Sequence, residues 1–376
     1  MISENYKDKL ELLINGREAF ERIIKRIQES KQSVHINIFI WRDDKIGNLL
    51  AKELLSAANR GVKITISKDV LGCLFERSEE NKQSFFHKKV SLPIWFQQKA
   101  VDYFYSTPGE KSTVSQKQNF LVERLYNHKN IFIESSMKKD HSKFYIFDNK
   151  ILITGGINIE DRAFSKDIAG VEWRDYMIEC RGEVFVKELY LRLNSKKNMS
   201  KNWFEFVLNS NQTKRNFEIK QVFLNILSSV KKELIIQMAY FGDQDINKKL
   251  IELSNKGILI TIIFPKKANI QNDYNYKILS LLYKKSNGKI NFFACNKMLH
   301  AKMLFIDNKK VLFGSANFSK QAADKVCELN VLIENSNILQ EKITKNISNI
   351  INESEKINSI KQFKYNSLRS FIESVS

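Results

Sequence analysis

His141-Ser-Lys143-Phe-Tyr-Ile-Phe-Asp148 and, farther along the chain, His300-Ala-Lys302-Met-Leu-Phe-Ile-Asp307 follow one pattern: histidine, any residue, lysine, four residues, aspartate. Two of the five histidines open it, so the pattern is a repeat and not a chance string. The residues after each lysine are apolar or aromatic and read as a strand, on which positions i and i+2 share a face. Each copy therefore aims one imidazole and one ammonium at a common point.

The surroundings of the two motifs repeat as well. Val34-His-Ile-Asn-Ile-Phe-Ile-Trp41 reads as a strand, Ile46 to Ala58 carries apolar residues at helical spacing, and Arg60-Gly61-Val62-Lys63-Ile64-Thr65-Ile66 returns to strand. The second half offers Glu233 to Tyr240, a helix through Lys248-Lys-Leu-Ile-Glu-Leu253, and Lys256-Gly257-Ile-Leu-Ile-Thr-Ile-Ile263. Both helices stop at a basic residue followed by glycine, the usual C-cap. Strands alternating with helices, twice, predict an α/β fold of two similar lobes, each a β-sheet flanked by helices, related by a pseudo-twofold duplication.

A polar run at Asn209–Asn216 marks the expected boundary, giving an N-terminal lobe over 1–208 and a C-terminal lobe over 217–376. Gly61 lies 80 residues before His141, but Gly257 only 43 before His300, so the first copy holds 37 extra residues, expected at about 79–126. Leu339, Ile343, Ile347 and Ile350 predict a closing helix, with another from Tyr365, both read as packing helices with a lysine-rich solvent face.

Composition narrows the class. With 376 residues, 43% of them apolar and only 3 prolines, the chain suits two ordinary cores. Its 61 basic against 42 acidic residues leave +19, which predicts attraction to polyanions, either nucleic acid or anionic lipid. Cys73, Cys180, Cys295 and Cys327 are too scattered for a short-spaced metal site and read as reduced, buried packing residues of a cytosolic protein. The first residues lack the apolar core of a secretory signal, and no stretch reaches the length of a spanning helix.

A phosphodiester needs a nucleophile, charge stabilisation on its non-bridging oxygens and an acid for the leaving alkoxide. Two histidines and two lysines supply all three, with no metal and no cofactor demanded. Gly155-Gly156-Ile-Asn158 and Gly314-Ser315-Ala-Asn317 follow the motifs at matching distance. Small residues there let backbone approach a ligand, and the Asn158 and Asn317 amides can hold a phosphoryl oxygen or a histidine. Glu328, and Asp175 in Trp173-Arg174-Asp175, are placed to set a carboxylate behind a histidine; a buried ion pair of the fold is the competing account.

These paired motifs resemble the phospholipase D superfamily. The resemblance implies two lobes with mixed sheets sharing one active site, His141 as nucleophile, His300 as acid, Asn158 and Asn317 supporting the phosphate, and Asp148 and Asp307 orienting their own motifs. Phe39-Ile-Trp41-Arg-Asp43-Asp44, Gly155 to Asp161, Trp173-Arg174-Asp175 and Leu299-His-Ala-Lys302 are similar to bacterial cardiolipin synthases. Those enzymes move a phosphatidyl group between phosphatidylglycerol molecules through a phosphohistidine. The expected partner is then an anionic phospholipid, met peripherally at the inner face of the cell membrane. Hydrolysis to phosphatidic acid, or metal-independent cleavage of DNA or RNA, are the alternatives. Phe85-Phe86, Trp95-Phe96 and Tyr103-Phe104-Tyr105 beside lysines predict either an interfacial anchor or core packing. His87 and His128 read as surface or structural residues.

Overall fold

The computed structural model describes residues 2–78, 84–86, 119–136, 139–164, 173–194, 203–211 and 216–375. Most of the expected insert, including His87, Trp95-Phe96 and Tyr103-Phe104-Tyr105, lies outside them.

The first half of the chain forms β1 (Leu10–Ile14), α1 (Asn15–Glu29), β2 (Ser33–Ile38), α2 (Lys45–Asn59), β3 (Lys63–Asp69), α3 (Val70–Ser78), α4 (Phe120–Asn127), β4 (Ile131–Ser136), β5 (Phe144–Phe147), β6 (Ile151–Gly155), α5 (Asp161–Phe164), β7 (Tyr176–Arg181) and α6 (Glu183–Leu193). The second half forms β8 (Phe204–Ser210), β9 (Asn216–Phe217), α7 (Ile219–Ser229), β10 (Glu233–Met238), α8 (Gln244–Asn255), β11 (Leu259–Pro265), α9 (Asn272–Lys285), β12 (Asn291–Cys295), β13 (Lys302–Ile306), β14 (Lys310–Gly314), α10 (Lys320–Asp324), β15 (Glu328–Glu334), α11 (Asn337–Asn352), β16 (Ser354–Ile357) and α12 (Ser367–Val375).

Two mixed sheets result, ordered β1-β7-β6-β5-β2-β3-β4 and β16-β12-β11-β10-β13-β14-β15-β8-β9. Seven strands correspond one to one, from β4 and β12 through to β1 and β8. The duplication is built by the same local rules in both copies. Asp44 caps α2 by accepting from the Gly47 amide, and Asp243 caps α8 by accepting from Asp245 and Ile246. Gly61 and Gly257 then turn the chain at φ +96° and +85°, where a side chain would be strained.

Period-two alternation decides which core each residue enters. Phe144 and Ile146 of β5 face a central core shared by both sheets with α6 and α11, while Tyr145 and Phe147 face the outer core under α1 and α2. Met303 and Phe305 of β13 likewise join the central core, and Leu304 and Ile306 the outer one beneath α7, α8 and α9. The motif strands are thus buried on both faces, which fixes their ends. Truncating Phe144 to alanine removes a side chain only 2% exposed and is expected to cost about 3–5 kcal/mol.

The lobe boundary lies earlier than the sequence suggested. β8 pairs antiparallel with β15, from Asn209↔Glu328 to Phe204↔Ile333, so 204–208 belong to the C-terminal sheet and not to a lobe ending at 208. Of the polar run, Asn209 and Ser210 lie in β8 and Asn216 in β9, which pairs with β8. The physical reason is symmetry: β8 does for β15 what β1 does for β7, each covering an edge that would otherwise expose unpaired backbone.

Two other expectations resolve clearly. Leu339, Ile343, Ile347 and Ile350 are all buried along α11. Phe85 and Phe86, read as part of a membrane anchor or of the core, are in the core: Phe85 stacks on Trp41 with ring centroids 5.3 Å apart. Cys180, Cys295 and Cys327 are buried and Cys73 half-buried, all as free thiols. His128 Nε2 lies 3.1 Å from the Asn59 side chain, a surface packing role.

Candidate active site

The two motif histidines sit on the extended approaches to β5 and β13, three and two residues before the strands begin, where backbone of the other lobe can reach them. The His141 amide donates to the Cys327 carbonyl and the His300 amide to the Arg174 carbonyl, each at 2.8 Å. The contact is reinforced in both directions, because Cys327 donates to Lys139 and Arg174 to Met298. Each motif is therefore stitched to the segment leading into the other lobe's carboxylate strand.

That stitching delivers the carboxylates. His141 Nδ1 lies 3.0 Å from Glu328 Oε2 at the start of β15, and His300 Nδ1 lies 2.8 Å from Asp175 Oδ2 just before β7. Both acids are buried and can each hold an Nδ1–H, which leaves the Nε2 of His141 toward the cavity, whereas that of His300 also has Lys302 Nζ at 3.0 Å. Of the two sequence accounts of Glu328 and Asp175, the geometry supports the histidine partner.

Lys143 and Lys302 do not line the cavity wall. They are buried beneath the imidazoles: Lys143 Nζ donates to the His141 carbonyl at 2.5 Å, and Lys302 Nζ lies 2.9 and 3.0 Å from the two ring nitrogens of His300. Burial, with the charge of Lys302 nearby, brings Lys143 down to about 7, and burial brings Lys302 down to about 8. Burial also lowers both histidines, His300 the more strongly because Lys302 lies against its ring. Asp175 moves the other way, raised by burial to about 6.

Asp148 and Asp307 lie at the far ends of their motif strands, bonded to backbone and away from the histidines. Neither is part of the cavity lining. Asp148 accepts from the amides of Lys31, Gln32 and Ser33 at 2.7–3.0 Å, and Asp307 from those of Lys231, Lys232 and Glu233 at 2.8–3.0 Å. Both also begin a tight turn with two successive residues at φ near +50°, a conformation that aspartate and asparagine tolerate. They staple the far end of each motif strand to the start of β2 or β10, so they position their motifs from a distance.

The glycine motif also acts differently from the expectation. A Cβ on Gly156 would fall 2.6 Å from both Asp175 carboxylate oxygens, so the close approach it permits is to the histidine's partner. In the second copy Ser315 instead bonds β15 directly, its hydroxyl accepting from the Leu329 amide at 2.9 Å. Asn158 and Asn317 do line the cavity, 3% and 8% exposed, and the Oδ1 of each has no hydrogen-bond partner among the described residues. Two unsatisfied amide oxygens at symmetric places are costly unless a ligand uses them.

The cavity, about 160 Å³, has His141 and His300 in its wall together with Phe39, Phe75, Trp173, Tyr240 and Ile270. Phe39 packs edge-on to His141 at 4.8 Å and Trp173 lies 5.0 Å from His300. Symmetry fails at one wall. In the first lobe Glu160 lies 2.9 Å from Arg42 and 2.6 Å from Arg162, whose guanidinium sits 4.1 Å from the Trp173 ring centre. Burial would raise Glu160, but Arg162 and Arg42 outweigh it and hold the carboxyl at about 2. The corresponding second-lobe residues, Gly242, Ser319 and Gln321, carry no charge. Sequence reasoning missed this wall, although Arg42 and Glu160 stood inside stretches already singled out.

Residues 23–190 and 223–351 match the family described as cardiolipin synthase, PLD-like domain. The chain belongs to that family. Among curated relatives, cardiolipin synthase 2 of Bacillus anthracis is 22% identical, over 94% of this chain and 66% of its own length. Cardiolipin synthase 1 of the same organism is 24% identical, over 87% and 64%. The chain thus spans about two thirds of the length of these cardiolipin synthases. Phosphatidylserine synthase from Haemophilus influenzae shares the fold, with a TM-score of 0.71 over 97% of this chain and 92% of that one at 12% identity. The two matched PLD-like segments each hold one motif histidine, its motif lysine and the carboxylate for the other segment's histidine.

Proposed function

We propose that the chain is a phosphatidyltransferase of cardiolipin synthase type, moving a phosphatidyl group between phosphatidylglycerol molecules. The observation that carries the reading is the pair of imidazoles, each bonded through Nδ1 to a carboxylate of the opposite lobe, facing one cavity with a largely apolar wall. A polynucleotide would present charge along an open groove, so the apolar wall favours lipid, while the net charge of +19 suits an anionic membrane equally well.

His141 is the nucleophile in this reading. Its side chain is the more exposed of the two, 19% against 9% for His300. Nε2 of His141 attacks phosphorus, the bond from phosphorus to the glycerol oxygen breaks, and protonated His300 gives its proton to that oxygen. The phosphodiester anion raises the imidazole pKa values as it enters, which makes the protonated form available. Neutral His300 then takes the proton of the second lipid's hydroxyl, whose oxygen attacks phosphorus and breaks the N–P bond. The charges of Lys143 and Lys302 act on the phosphate from beneath the imidazoles, and Asn158 and Asn317 orient the phosphate or the alcohol.

No helix among the described residues is long and apolar enough to cross a membrane. Peripheral attachment at the inner face fits the charge of the chain. The test is incubation of purified protein with phosphatidylglycerol vesicles and, separately, with DNA, both in EDTA. Cardiolipin and glycerol are expected, with a phosphatidyl adduct on His141 in acid-sparing quench and mass spectrometry. Phosphatidic acid alone would indicate a hydrolase, and DNA cleavage without lipid turnover would refute the lipid reading.

A further inference from the structure

The last helix, α12, was expected to pack with its apolar side inward, and it does the reverse. Ser370 and Glu373 are 0% and 5% exposed, whereas Leu368 and Phe371 are 71% and 60% exposed. The two apolar side chains are three residues apart and share one face. Tyr365 and Ile360, just before the helix, are also exposed. An isolated exposed leucine needs no explanation, but a helix that buries Ser370 and Glu373 while turning Leu368 and Phe371 outward does.

The position of α12 is fixed by polar contacts to the rim of the active site. Asn269, Ile270 and Gln271 line the cavity and lead directly into α9. On the first turn of α9, Asp273 accepts from the Asn366 amide at 2.7 Å, and the Tyr274 amide donates to Glu373 at 2.8 Å. Arg369 reaches both Asp273 and Glu373, at 3.4 and 3.3 Å. Asn366, Arg369 and Glu373 are therefore the clamp, and the clamp presents Leu368 and Phe371 outward beside the rim.

We infer that α12 is a membrane-docking element, which lays Leu368 and Phe371 into the interface of an anionic bilayer and so places the cavity mouth against its substrate lipids. The charge of the segment selects that occupant. From Ile360 to Val375 it carries Lys361, Lys364 and Arg369 against one carboxylate, Glu373, which faces inward. Apolar side chains flanked by cations bind by burying the former at the acyl boundary while the latter meet anionic head groups. The small cavity accommodates a head group, and a diacyl chain pair must stay in the bilayer while its phosphate is processed. The inference rests on the lipid reading of the cavity.

The experiment compares co-sedimentation of wild type and the Leu368→Ser/Phe371→Ser double variant with vesicles of phosphatidylglycerol and phosphatidylcholine. At least a tenfold loss of vesicle affinity is expected, while unchanged affinity would overturn the inference. In case the double variant fails to fold, which its melting curve would reveal, Phe371→Trp provides a second reading. Its added emission should shift to the blue and be quenched by brominated lipid, and emission unaltered by vesicles would overturn the proposal. A wild-type dimer in sedimentation velocity that the double variant dissociates would assign the face to a second copy and also overturn it. Turnover of dissolved short-chain phosphatidylglycerol by wild type tests the function separately: its absence fails that reading, whereas vesicle binding alone decides the role of α12.

Discussion

The carboxylate of Glu328, in the C-terminal sheet, is 3.0 Å from Nδ1 of His141, in the N-terminal lobe. Asp175 and His300 make the reciprocal contact at 2.8 Å. Neither lobe alone holds a motif histidine with its carboxylate partner, so both histidine–carboxylate pairs are assembled by the docking of the lobes. Replacing Glu328 by glutamine keeps the shape but removes the charge that selects the Nδ1–H tautomer and steadies the imidazolium. Turnover is expected to fall about a hundredfold or more with little change in KM, as for other histidine-orienting carboxylates. Steady-state kinetics check this, and wild-type turnover in Glu328→Gln would remove the acid from the mechanism.

The buried lysines set a pH limit. Lys143 and Lys302, at about 7 and about 8, must be protonated to neutralise a phosphate, and their charged fraction falls as pH rises through those values. On the acid side His141 must be neutral, and its pKa is lowered from the ordinary value, so activity persists somewhat below pH 6.5. His300, the acid, is lowered further and starts the alkaline fall of kcat/KM below pH 6.5, and the lysines are expected to steepen that fall between about pH 7 and 8, several units below an exposed lysine. Lys143→Arg should lose activity yet shift the alkaline limb upward, because guanidinium stays charged. A flat profile to pH 10 would show that the lysines do not titrate in the free enzyme.

Asp148 and Asp307 should behave as fold residues. Each accepts from three backbone amides, and these bonds hold its carboxyl below the ordinary value. The stabilisation is present above the unfolded pKa near 4 and is lost as pH falls through the lower folded value. Asp148→Ala should cost about 2 kcal/mol, measured as a fall in urea midpoint, since three donors lose a charged acceptor at a half-exposed site. Activity per folded molecule should drop far less than for His141→Ala. Equal losses would return the aspartate to the chemistry.

Much of this was legible because the rules involved are local. Gly61 and Gly257, each after a basic residue at a helix end, and the apolar runs that follow Lys143 and Lys302 announce their role within a few residues, and doing so twice revealed the duplication. The pairing of His141 with Glu328 spans 187 residues and that of His300 with Asp175 spans 125. It depends on how the lobes dock, which no periodicity encodes. The same reason hid the first-lobe wall of Arg42, Glu160 and Arg162, and the burial of both lysines beneath the rings. The boundary was misplaced because β8 is polar at its end, where its pairing with β15 compensates. In α12 the apolar spacing was read correctly as helix, but which side faces inward was decided by Asp273 and Tyr274 of another element.

Gly156 offers a test of whether the Asp175 contact is needed at all. A methyl group there would stand 2.6 Å from both carboxylate oxygens, well inside contact distance, and cannot be relieved by moving a flexible tip because the carboxylate itself is what it meets. Gly156→Ala must therefore push Asp175 away from His300 or shift the β6–β7 edge. In the proposed mechanism His300 is acid in the first step and base in the second, so losing its partner should slow both formation and breakdown of the phosphohistidine, cutting kcat about a hundredfold or more while substrate binding changes little. Asp175→Asn should reproduce the loss. The Gly156→Ala/Asp175→Asn pair should be strongly non-additive, since both remove one interaction. Rapid-quench measurement of adduct formation and decay checks each step. Additive losses would mean that Gly156 serves something other than the carboxylate behind His300.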